Sequence, residues 1–288
     1  VVIGVFSPLM THLGFHQLEF KNLLKKQINA EAGILVGGVR HPIELAIVDS
    51  NEISSAPDAV AAIERLQSRQ HPQMVTGLIK SEAAPPVVER AAADKTIFLS
   101  VGTGSMVLPG MVKEDYEKYK YWFRIMPVNS VELAKSLVPF HNYGGTIVRE
   151  ALGLPPDYKL KAAVLIEKGE AGEFMYQLTH QALPTMNMEE VGAWRPAGDA
   201  TDLTGECSAI AASGAQIICG WFYGPAGLPF AKTWAELQVP AAYFGTNAAA
   251  QSSDYWKATL GRGNYMTSSH SWYAPDLAIT PKTVPFFN

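Results

Sequence analysis

Residues 73–105 read QMVTGLIKSEAAPPVVERAAADKTIFLSVGTGS, and this stretch decides the fold. Its two short apolar segments, at 73–79 and 96–101, are typical of buried strands, and the intervening PPVVERAAA predicts a helix. A strand, a helix and a second strand in succession form a βαβ unit, which places the two strands parallel in one sheet. The second strand runs directly into Gly-Thr-Gly-Ser at 102–105, where glycines open backbone N–H groups to a bound anion.

The same alternation of apolar segments and amphipathic helices occupies most of the chain. Two further strands and two further helices are predicted before residue 73, and a second series begins after a break near residues 127–130. The predicted strands outside 73–105 are 1–6, 43–48, 162–166, 189–194, 215–223 and 240–245, and the helices are 15–30, 57–67, 172–182, 201–213 and 227–237. We therefore predict an α/β protein with two domains of similar plan, each with a mostly parallel sheet covered by helices.

Composition excludes several classes of protein. Of 288 residues, 48% are hydrophobic and 17% are charged, which supports a well-packed globular chain. The formal net charge of −4 argues against nucleic acid as a partner, since phosphates require a basic face. No segment reaches the roughly 18 consecutive apolar residues that span a bilayer. The two cysteines, Cys207 and Cys219, allow one disulfide, although two buried free thiols are favoured.

In open α/β sheets ligands bind beyond the carboxyl ends of the strands, so the loops that follow the predicted strands are the candidate binding residues. Ser81 precedes a predicted helix in a capping position, and residues 102–105 offer unobstructed backbone donors. Together they suit a carboxylate or another small oxyanion. Trp221, Phe222 and Tyr223 offer flat apolar surface with polar atoms. Purely local roles, as a helix cap and as turn glycines, remain the alternative.

The motifs of nucleotide-binding enzymes and hydrolases are incomplete or missing. Gly102 and Gly104 supply two glycines of a dinucleotide fingerprint, but Val107 takes the third position. Neither a Gly-Lys-Ser/Thr loop nor a Gly-x-Ser-x-Gly elbow occurs. We therefore expect a protein that is not an enzyme and that carries no cofactor.

A metal site is also disfavoured. His12 and His16 lie four residues apart near Glu19, but the pattern is not His-Glu-x-x-His. Glu167, Glu170 and Glu173 also lie close together in the sequence. Acidic residues at the start of a predicted helix usually interact with the helix dipole, so these three do not indicate a metal site.

Several segments, taken in order, carry a resemblance to a known family. They are IGVFSPLMTHLGFHQLEFKN, INAEAGILVGG, HPIELAIVDSN, VTGLIKSEAA, TIFLSVGTGS and YWFRIMPVNS. They resemble the type I periplasmic solute-binding proteins, and among these the branched-chain amino acid (Leu/Ile/Val) binding family of ABC transporters. The resemblance implies two Rossmann-like lobes, joined by a hinge, that close on a solute without catalysis.

The resemblance also implies the domain bounds. The amino-terminal lobe is expected at residues 1–127, with residues 250–288 returning to it, and the carboxy-terminal lobe at 128–249. Members of the family usually continue beyond VPFFN, so the C-terminal part of the family fold is expected to be missing from this sequence.

Carried over by position, the resemblance implies binding residues in the first lobe. Ser81 matches a serine that holds the carboxylate of the ligand. Gly102 and Gly104 match positions where backbone and threonine groups hold the same carboxylate, and Ser105 offers a hydroxyl one place later. Phe15, or His16, matches an aromatic residue that covers the ligand.

In the second half of the site this chain departs from the family. Trp221 and Phe222 match an aromatic wall, but Ala171 stands where many members have a tyrosine. Asn247 stands where amino-acid-binding members have the acid that pairs with the ammonium group. A buried ammonium without a carboxylate partner is poorly compensated. The departure predicts a small carboxylate or amide with an apolar or aromatic body.

The function implied is the extracytoplasmic substrate-binding component of an ABC importer. It captures a small solute with a carboxylate or amide, either amino-acid-like or an aromatic acid, in an interdomain cleft and delivers it to a membrane permease. Its place is then periplasmic or extracellular, free or lipid-anchored, after removal of a signal peptide. The alternative is a cytoplasmic amide or amino-acid sensor of the same fold. A signal peptide or lipobox in the precursor would distinguish the two.

Overall fold

The protein divides into two compact units in a computed structural model. The described residues are 1–126, 129–252, 254–263 and 267–268. Unit 1 comprises residues 1–136 and 168–178, and unit 2 comprises residues 137–167 and those from 179 onward. The lobe bounds implied by the resemblance stay a prediction, and much of the segment expected to return to the first lobe lies outside the described residues.

Unit 1 is built on a five-stranded parallel sheet. Its elements are β1 Val2–Ser7, α1 His12–Ala30, β2 Ile34–Val36, β3 Val39–His41, β4 Glu44–Asp49, α2 Ala56–Gln70, β5 Met74–Gly77, α3 Ala84–Ala93, β6 Ile97–Ser100, α4 Val107–Glu114, α5 Tyr116–Tyr119 and β7 Trp122–Arg124. The strand order is β4-β1-β5-β6-β7, and β2 and β3 form a separate antiparallel hairpin. Phe6, Val75 and Phe98 of the sheet pack against Leu66 and Val87 of α2 and α3 in the core.

Unit 2 repeats this plan. Its elements, two of which begin in unit 1, are α6 Ser130–Ala151, β8 Leu160–Ile166, α7 Glu170–Ala182, β9 Met188–Trp194, α8 Thr204–Ala212, β10 Ile217–Phe222, α9 Gly227–Glu236, β11 Ala242–Asn247, α10 Tyr255–Ala258 and β12 Thr267–Ser268, with short 3-10 helices at Leu183–Met186 and Ala248–Gln251. The strand order is β12-β11-β10-β8-β9, and every pairing in the sheet is parallel. The predicted α/β class with mostly parallel sheets is confirmed.

The two sheets wind in the same way, which fixes where each unit binds ligands. In both, the first strand of the sheet lies between the second and the third. The order therefore reverses between β1 and β5 in unit 1, and between β8 and β10 in unit 2. Loops that leave the carboxyl ends of strands at such a switch point diverge and leave a crevice.

Local sequence signals account for the elements that support this edge. Helix α2 begins after Ser55, whose hydroxyl accepts a hydrogen bond from the amide of Asp58 at 3.2 Å. Pro57 lies in the first turn, where the missing N–H of proline leaves no helical hydrogen bond unmade. The helix ends at His71, which takes the left-handed conformation with φ 44°.

The two thiols are both free and both fully buried, as the sequence favoured. Burial raises the pKa of Cys207 and of Cys219 to about 12. Because the thiolate is the reactive form, neither cysteine should react with a thiol reagent at pH 8 while the protein is folded. Titration with Ellman's reagent should detect both thiols only after denaturation, and rapid reaction of the native protein would contradict this expectation.

Among the described residues, no helix is both long and apolar enough to cross a membrane.

Candidate functional site

The turn between β5 and α3 brings Ser81 to the switch-point edge of unit 1. Gly77 has φ +149° and the buried Leu78 has φ +71°, so the chain turns sharply at the end of the strand. The predicted capping role of Ser81 is wrong, because Ala83 is the N-cap of α3 and no side chain caps this helix. It is the carbonyl of Ser81, not its hydroxyl, that accepts a hydrogen bond from the amide of Ala84, at 3.2 Å.

The turn that precedes α3 carries backbone donors. Within the described part of the chain, the backbone N–H groups of Ser81, Glu82 and Ala83 have no acceptor. Helix α3 is ten residues long, so its dipole adds partial positive charge at this end. Pro85 and Pro86 in the first turn of α3 have no N–H, so the amides available to an anion are those of the turn before the helix.

The loop after β6 places a second hydroxyl beside Ser81. The hydroxyl oxygens of Ser81 and Thr103 lie 3.4 Å apart, and both side chains are buried. Thr103 also accepts a hydrogen bond from the amide of Ser105 at 3.2 Å. Since one hydrogen bond joins the two hydroxyls, the pair keeps one hydroxyl hydrogen for a further acceptor.

The two glycines of this loop allow it to pack closely. A Cβ atom on Gly102 would lie 2.9 Å from the side chain of Ile79, and one on Gly104 would lie 2.8 Å from the hydroxyl of Ser130. The carbonyl of Gly104 accepts hydrogen bonds from both the amide and the hydroxyl of Ser130. Four of the predicted residues, Ser81, Gly102, Gly104 and Ser105, therefore lie in two adjoining loops of unit 1.

Ser105 donates its hydroxyl hydrogen to a carboxylate oxygen of Glu170 at 2.8 Å. The amide of Met106 donates to the same oxygen at 3.3 Å. Arg124 contributes positive charge here, because its guanidinium donates to the carbonyl of Ser105 and interacts electrostatically with Glu170. Burial lowers the pKa of Arg124 from its ordinary value. The carboxyl end of this loop thus already binds a carboxylate oxygen.

The remaining predicted residues of unit 1 lie on helices. Phe15 is 52% exposed in the first turns of α1, and its ring lies 5.8 Å from that of His16. His16 is hydrogen-bonded to the carboxylate of Glu19 at 3.2 Å on the exposed side of the helix. Ala171 lies half-buried near the start of α7. In the part of the chain that the structure describes, no group of three or more His, Cys, Asp or Glu side chains could hold a metal.

Sequence reasoning missed a buried carboxylate beneath the Ser81 turn. Glu52, in the loop after β4, accepts hydrogen bonds from the amides of Ile79 at 2.9 Å and Lys80 at 3.0 Å. Burial raises the pKa of Glu52 to about 7, against the lowering effects of these bonds and of Lys21. Burial also lowers the pKa of Lys21 to about 8, and Glu52 opposes that change. Glu52 stands in a polar segment, DSNEISS, that looks like an ordinary surface loop.

Unit 2 has a similar arrangement at its own switch point. Glu167, directly after β8, accepts hydrogen bonds from the amides of Tyr223 at 3.0 Å and Gly224 at 2.8 Å. These amides begin the loop after β10. The rings of Trp221 and Tyr223 stack with centroids 5.7 Å apart and planes 10° from parallel. The result is a flat aromatic pair held at the carboxyl end of β10.

Phe222 and Asn247 have partners inside unit 2. Phe222 points to the opposite face of β10, where it is fully buried and stacks on Phe230 at 4.9 Å. Asn247 is also fully buried; its amide nitrogen donates to the carbonyl of Gly227 at 2.8 Å. Its amide oxygen accepts from the amide of Ala249 at 3.2 Å. Phe222 therefore contributes to the core, and Asn247 links α9 to the 3-10 helix that follows β11.

Solved structures share this architecture at low sequence identity. A solute-binding protein of an ABC transporter from R. palustris, in complex with 4-hydroxybenzoate, has a TM-score of 0.74 at 19% identity over 100% of this chain and 72% of that chain. A second R. palustris protein, in complex with benzoate, has a TM-score of 0.74 at 18% identity over 99% and 71%. A leucine-binding protein from Thermotoga maritima has a TM-score of 0.71 at 15% identity over 99% and 74%.

Among curated proteins, no relative matches the sequence. A family model described as periplasmic binding protein matches residues 22–284, which is most of the chain. The match agrees with the winding of the two sheets and with the structural neighbours, so the resemblance noted in the sequence is confirmed. The chain belongs to the periplasmic binding protein family, with the type I fold of the solute-binding proteins of ABC transporters.

Proposed function

We propose that the protein is the solute-binding component of an ABC importer, that it works outside the cytoplasm, and that its solute is a small carboxylate with an aromatic or apolar body. The observation that carries the proposal is the uncapped start of α3 beside the Ser81–Thr103 hydroxyl pair. The backbone amides of the Ser81 turn, the dipole of α3 and a hydroxyl hydrogen each favour an anion, and a carboxylate can accept from such donors.

The carboxylate is proposed at Ser81 and Thr103 rather than at Ser105. The Ser105 hydroxyl already donates to Glu170, so a solute there would have to displace an internal carboxylate. The Ser81–Thr103 pair has one hydroxyl hydrogen to donate without breaking a contact. Ser105 and Met106 support the proposal in another way. Both donate hydrogen bonds to one carboxylate oxygen of Glu170, so donors of this loop are already arranged to bind a carboxylate.

In unit 2 the stacked Trp221–Tyr223 pair is proposed as a surface that takes an aromatic or apolar group. Aromatic faces favour flat apolar groups, which suits a benzoate-like ring. Asn247 carries no charge and uses its amide within unit 2, so it offers no compensation for an ammonium group. Two of the structural neighbours hold 4-hydroxybenzoate and benzoate, which agrees with this class of solute. The partner would be a membrane permease that receives the solute.

Isothermal titration calorimetry tests the proposal with benzoate, 4-hydroxybenzoate, benzamide and leucine. We expect the two benzoates to bind at least about tenfold more tightly than leucine, which corresponds to roughly 1.4 kcal/mol. A thermal-shift measurement should show a higher Tm with the two benzoates, since a ligand at a free concentration of 100 times its Kd stabilises the folded state by about 2.7 kcal/mol. Tight leucine binding without benzoate binding would overturn the solute class. Failure of every small carboxylate, amide and amino acid in a wider screen would overturn solute binding itself.

A further inference from the structure

Glu52 is a buried carboxylate that bonds to a turn rather than to a side chain of opposite charge. It is 1% exposed, and one carboxylate oxygen accepts from two successive amides, Ile79 at 2.9 Å and Lys80 at 3.0 Å. The other oxygen accepts from the hydroxyl of Ser50 at 3.2 Å. A carboxylate that accepts two backbone amides in a buried place is a strong local constraint on the backbone.

The turn that Glu52 holds is under strain. Gly77 has φ +149°, and Leu78, which is not a glycine, lies in the left-handed region at φ +71°. A bulky residue in that region is uncommon and persists only where its surroundings fix it. The next two residues are Ile79 and Lys80, whose amides Glu52 binds, and Ser81 follows them directly.

The second binding loop depends on the same turn. The amide of Val101 donates to the carbonyl of Gly77 at 2.9 Å, and the amide of Thr103 donates to the carbonyl of Leu78 at 3.0 Å. The Thr103 hydroxyl then meets that of Ser81 at 3.4 Å. Both hydroxyls of the candidate anion site are thus fixed through residues 77–80.

We propose that Glu52 is the positioning residue of this site: its carboxylate oxygen closes the turn at residues 77–80 and thereby places the Ser81 and Thr103 hydroxyls for a solute carboxylate. The inference rests on the function proposed above. Glu52 does not touch the solute and acts through Ser81. The requirement is for an acceptor at this point, so a neutral acceptor of the same shape should serve.

The charged groups around Glu52 determine how its role varies with pH. Lys21 faces it from α1, and the Lys21 ammonium donates to Gln17 and to the carbonyl of Thr76, both at 3.4 Å. Asp49 precedes it on β4 and accepts from the amides of Leu9 and Asn51. Lys80 lies in the turn itself, where its ammonium pairs with Glu82 at 3.7 Å.

The pKa of Glu52 fixes the sign of the pH effect. Its pKa is about 7 in the folded protein against an ordinary value of 4.5, so the closed turn favours the protonated acid. Glu52 therefore makes any opening that exposes it to water easier as pH rises from about 4.5 to about 7, and it contributes no further change above about 7. The protection of the Ile79 and Lys80 amides should follow that curve.

Two variants separate the acceptor from the charge. Glu52→Met removes the acceptor and leaves two buried amides without a partner, whereas Glu52→Gln keeps an acceptor oxygen and removes the titration. For Glu52→Met we expect roughly tenfold or greater loss of benzoate affinity and a similar loss of protection at Ile79 and Lys80, since the loss of even one of the two hydrogen bonds implies an effect of this size. Glu52→Gln should stay within about threefold of the parent and should lose the decrease in protection that Glu52 causes between pH 4.5 and 7.

Calorimetry and hydrogen exchange by NMR, corrected for intrinsic rates, measure these effects. Glu64→Met is the matched control, since Glu64 lies on the surface of α2 with Arg90, and it should change neither quantity. Parent-like affinity and protection in Glu52→Met would overturn the proposal. If Glu52→Met does not fold, exchange in the parent decides, and Ile79 and Lys80 amides that exchange at their intrinsic rates overturn it. If the parent binds no solute, the proposed function fails, while the exchange rates still decide whether Glu52 closes the turn.

Discussion

Gly77→Ala should lower the free energy of unfolding by about 3 to 5 kcal/mol, a loss found only for severe backbone or core defects. Gly77 ends β5 opposite Phe6 of β1 and has φ +149°, a region that side chains rarely allow. A Cβ atom there would lie 1.7 Å from the carbonyl oxygen of Phe6. Since that oxygen belongs to β1, an interior strand of the sheet, relief requires β1 and β5 to separate.

The same substitution at Gly110 provides the control. Gly110 lies in α4, also in unit 1, and a Cβ atom there meets nothing within 4 Å. Alanine in a helix is more favourable than glycine by roughly 0.5 to 1 kcal/mol, so Gly110→Ala should be neutral or slightly stabilising. Urea denaturation monitored by circular dichroism compares the two variants. Equal midpoints for both would show that the turn at Gly77 tolerates a side chain and would contradict the strain assigned to it.

The regular part of the fold was predictable from the sequence because its signals are local. The strand predicted at 43–48 is observed at Glu44–Asp49, and the one predicted at 162–166 is observed at Leu160–Ile166. In each, a run of apolar residues fills a parallel sheet that is covered by helices. Helix 227–237 is observed at Gly227–Glu236 for the same reason, since its apolar positions recur at helical spacing.

Other elements lacked such a signal. The long helix α6 was not predicted, and it contains Pro139 and the pair Gly144–Gly145, all of which argue against a helix in isolation. Gly144 packs so closely against Phe244 that a Cβ atom there would lie 2.4 Å from the ring. Tertiary packing of this kind stabilises α6, although these residues have low helix propensity. The β2–β3 hairpin was also missed. Its turn contains Gly37 and Gly38, and two glycines with positive φ match the tight turns that join hairpin strands.

The candidate site shows where sequence reasoning stops. Ser81 and the 102–105 loop were found because strand ends in α/β folds mark ligand sites, and that rule needs only the order of elements. Glu52 was not found, because its burial depends on the amides of Ile79 and Lys80, which lie more than 25 residues further along the chain. Phe222 and Tyr223 show the same limit. Alternation along β10 puts Phe222 in the core beside Phe230, and Tyr223, one place later, stacks on Trp221.

Glu52 and Glu167 together suggest one principle for how this chain builds a site. Each carboxylate follows a strand, lies buried, and accepts two successive amides from a loop that carries candidate binding residues. Loops at strand ends lack the ladder bonds of the sheet, so their backbone amides need other acceptors. A buried carboxylate supplies these acceptors and fixes the loop at the same time. The binding side chains can then remain small, as Ser81 and Thr103 are.

Ser81→Ala should weaken the binding of a benzoate-type solute by about 1 to 3 kcal/mol, which is roughly 5- to 150-fold in Kd. Ser81 is 5% exposed and lies beside Thr103, so a solute carboxylate bound there is largely shielded from water. The substitution removes the charge-assisted hydrogen bond from the Ser81 hydroxyl to that carboxylate. Stability should change little, because the 3.4 Å bond to Thr103 is long.

Two matched serines make this measurement specific. Ser68→Ala on α2 removes an exposed hydroxyl that contacts only a carbonyl of its own helix, and it should leave the Kd unchanged. Ser105→Ala removes a hydroxyl that serves Glu170 and the start of α4, so its effect on the Kd should be smaller than that of Ser81→Ala. Calorimetric titration with benzoate ranks the three variants by their Kd. An affinity of Ser81→Ala equal to that of Ser68→Ala would place the solute carboxylate elsewhere, and a larger loss for Ser105→Ala would move it to the Ser105–Met106 end of the loop.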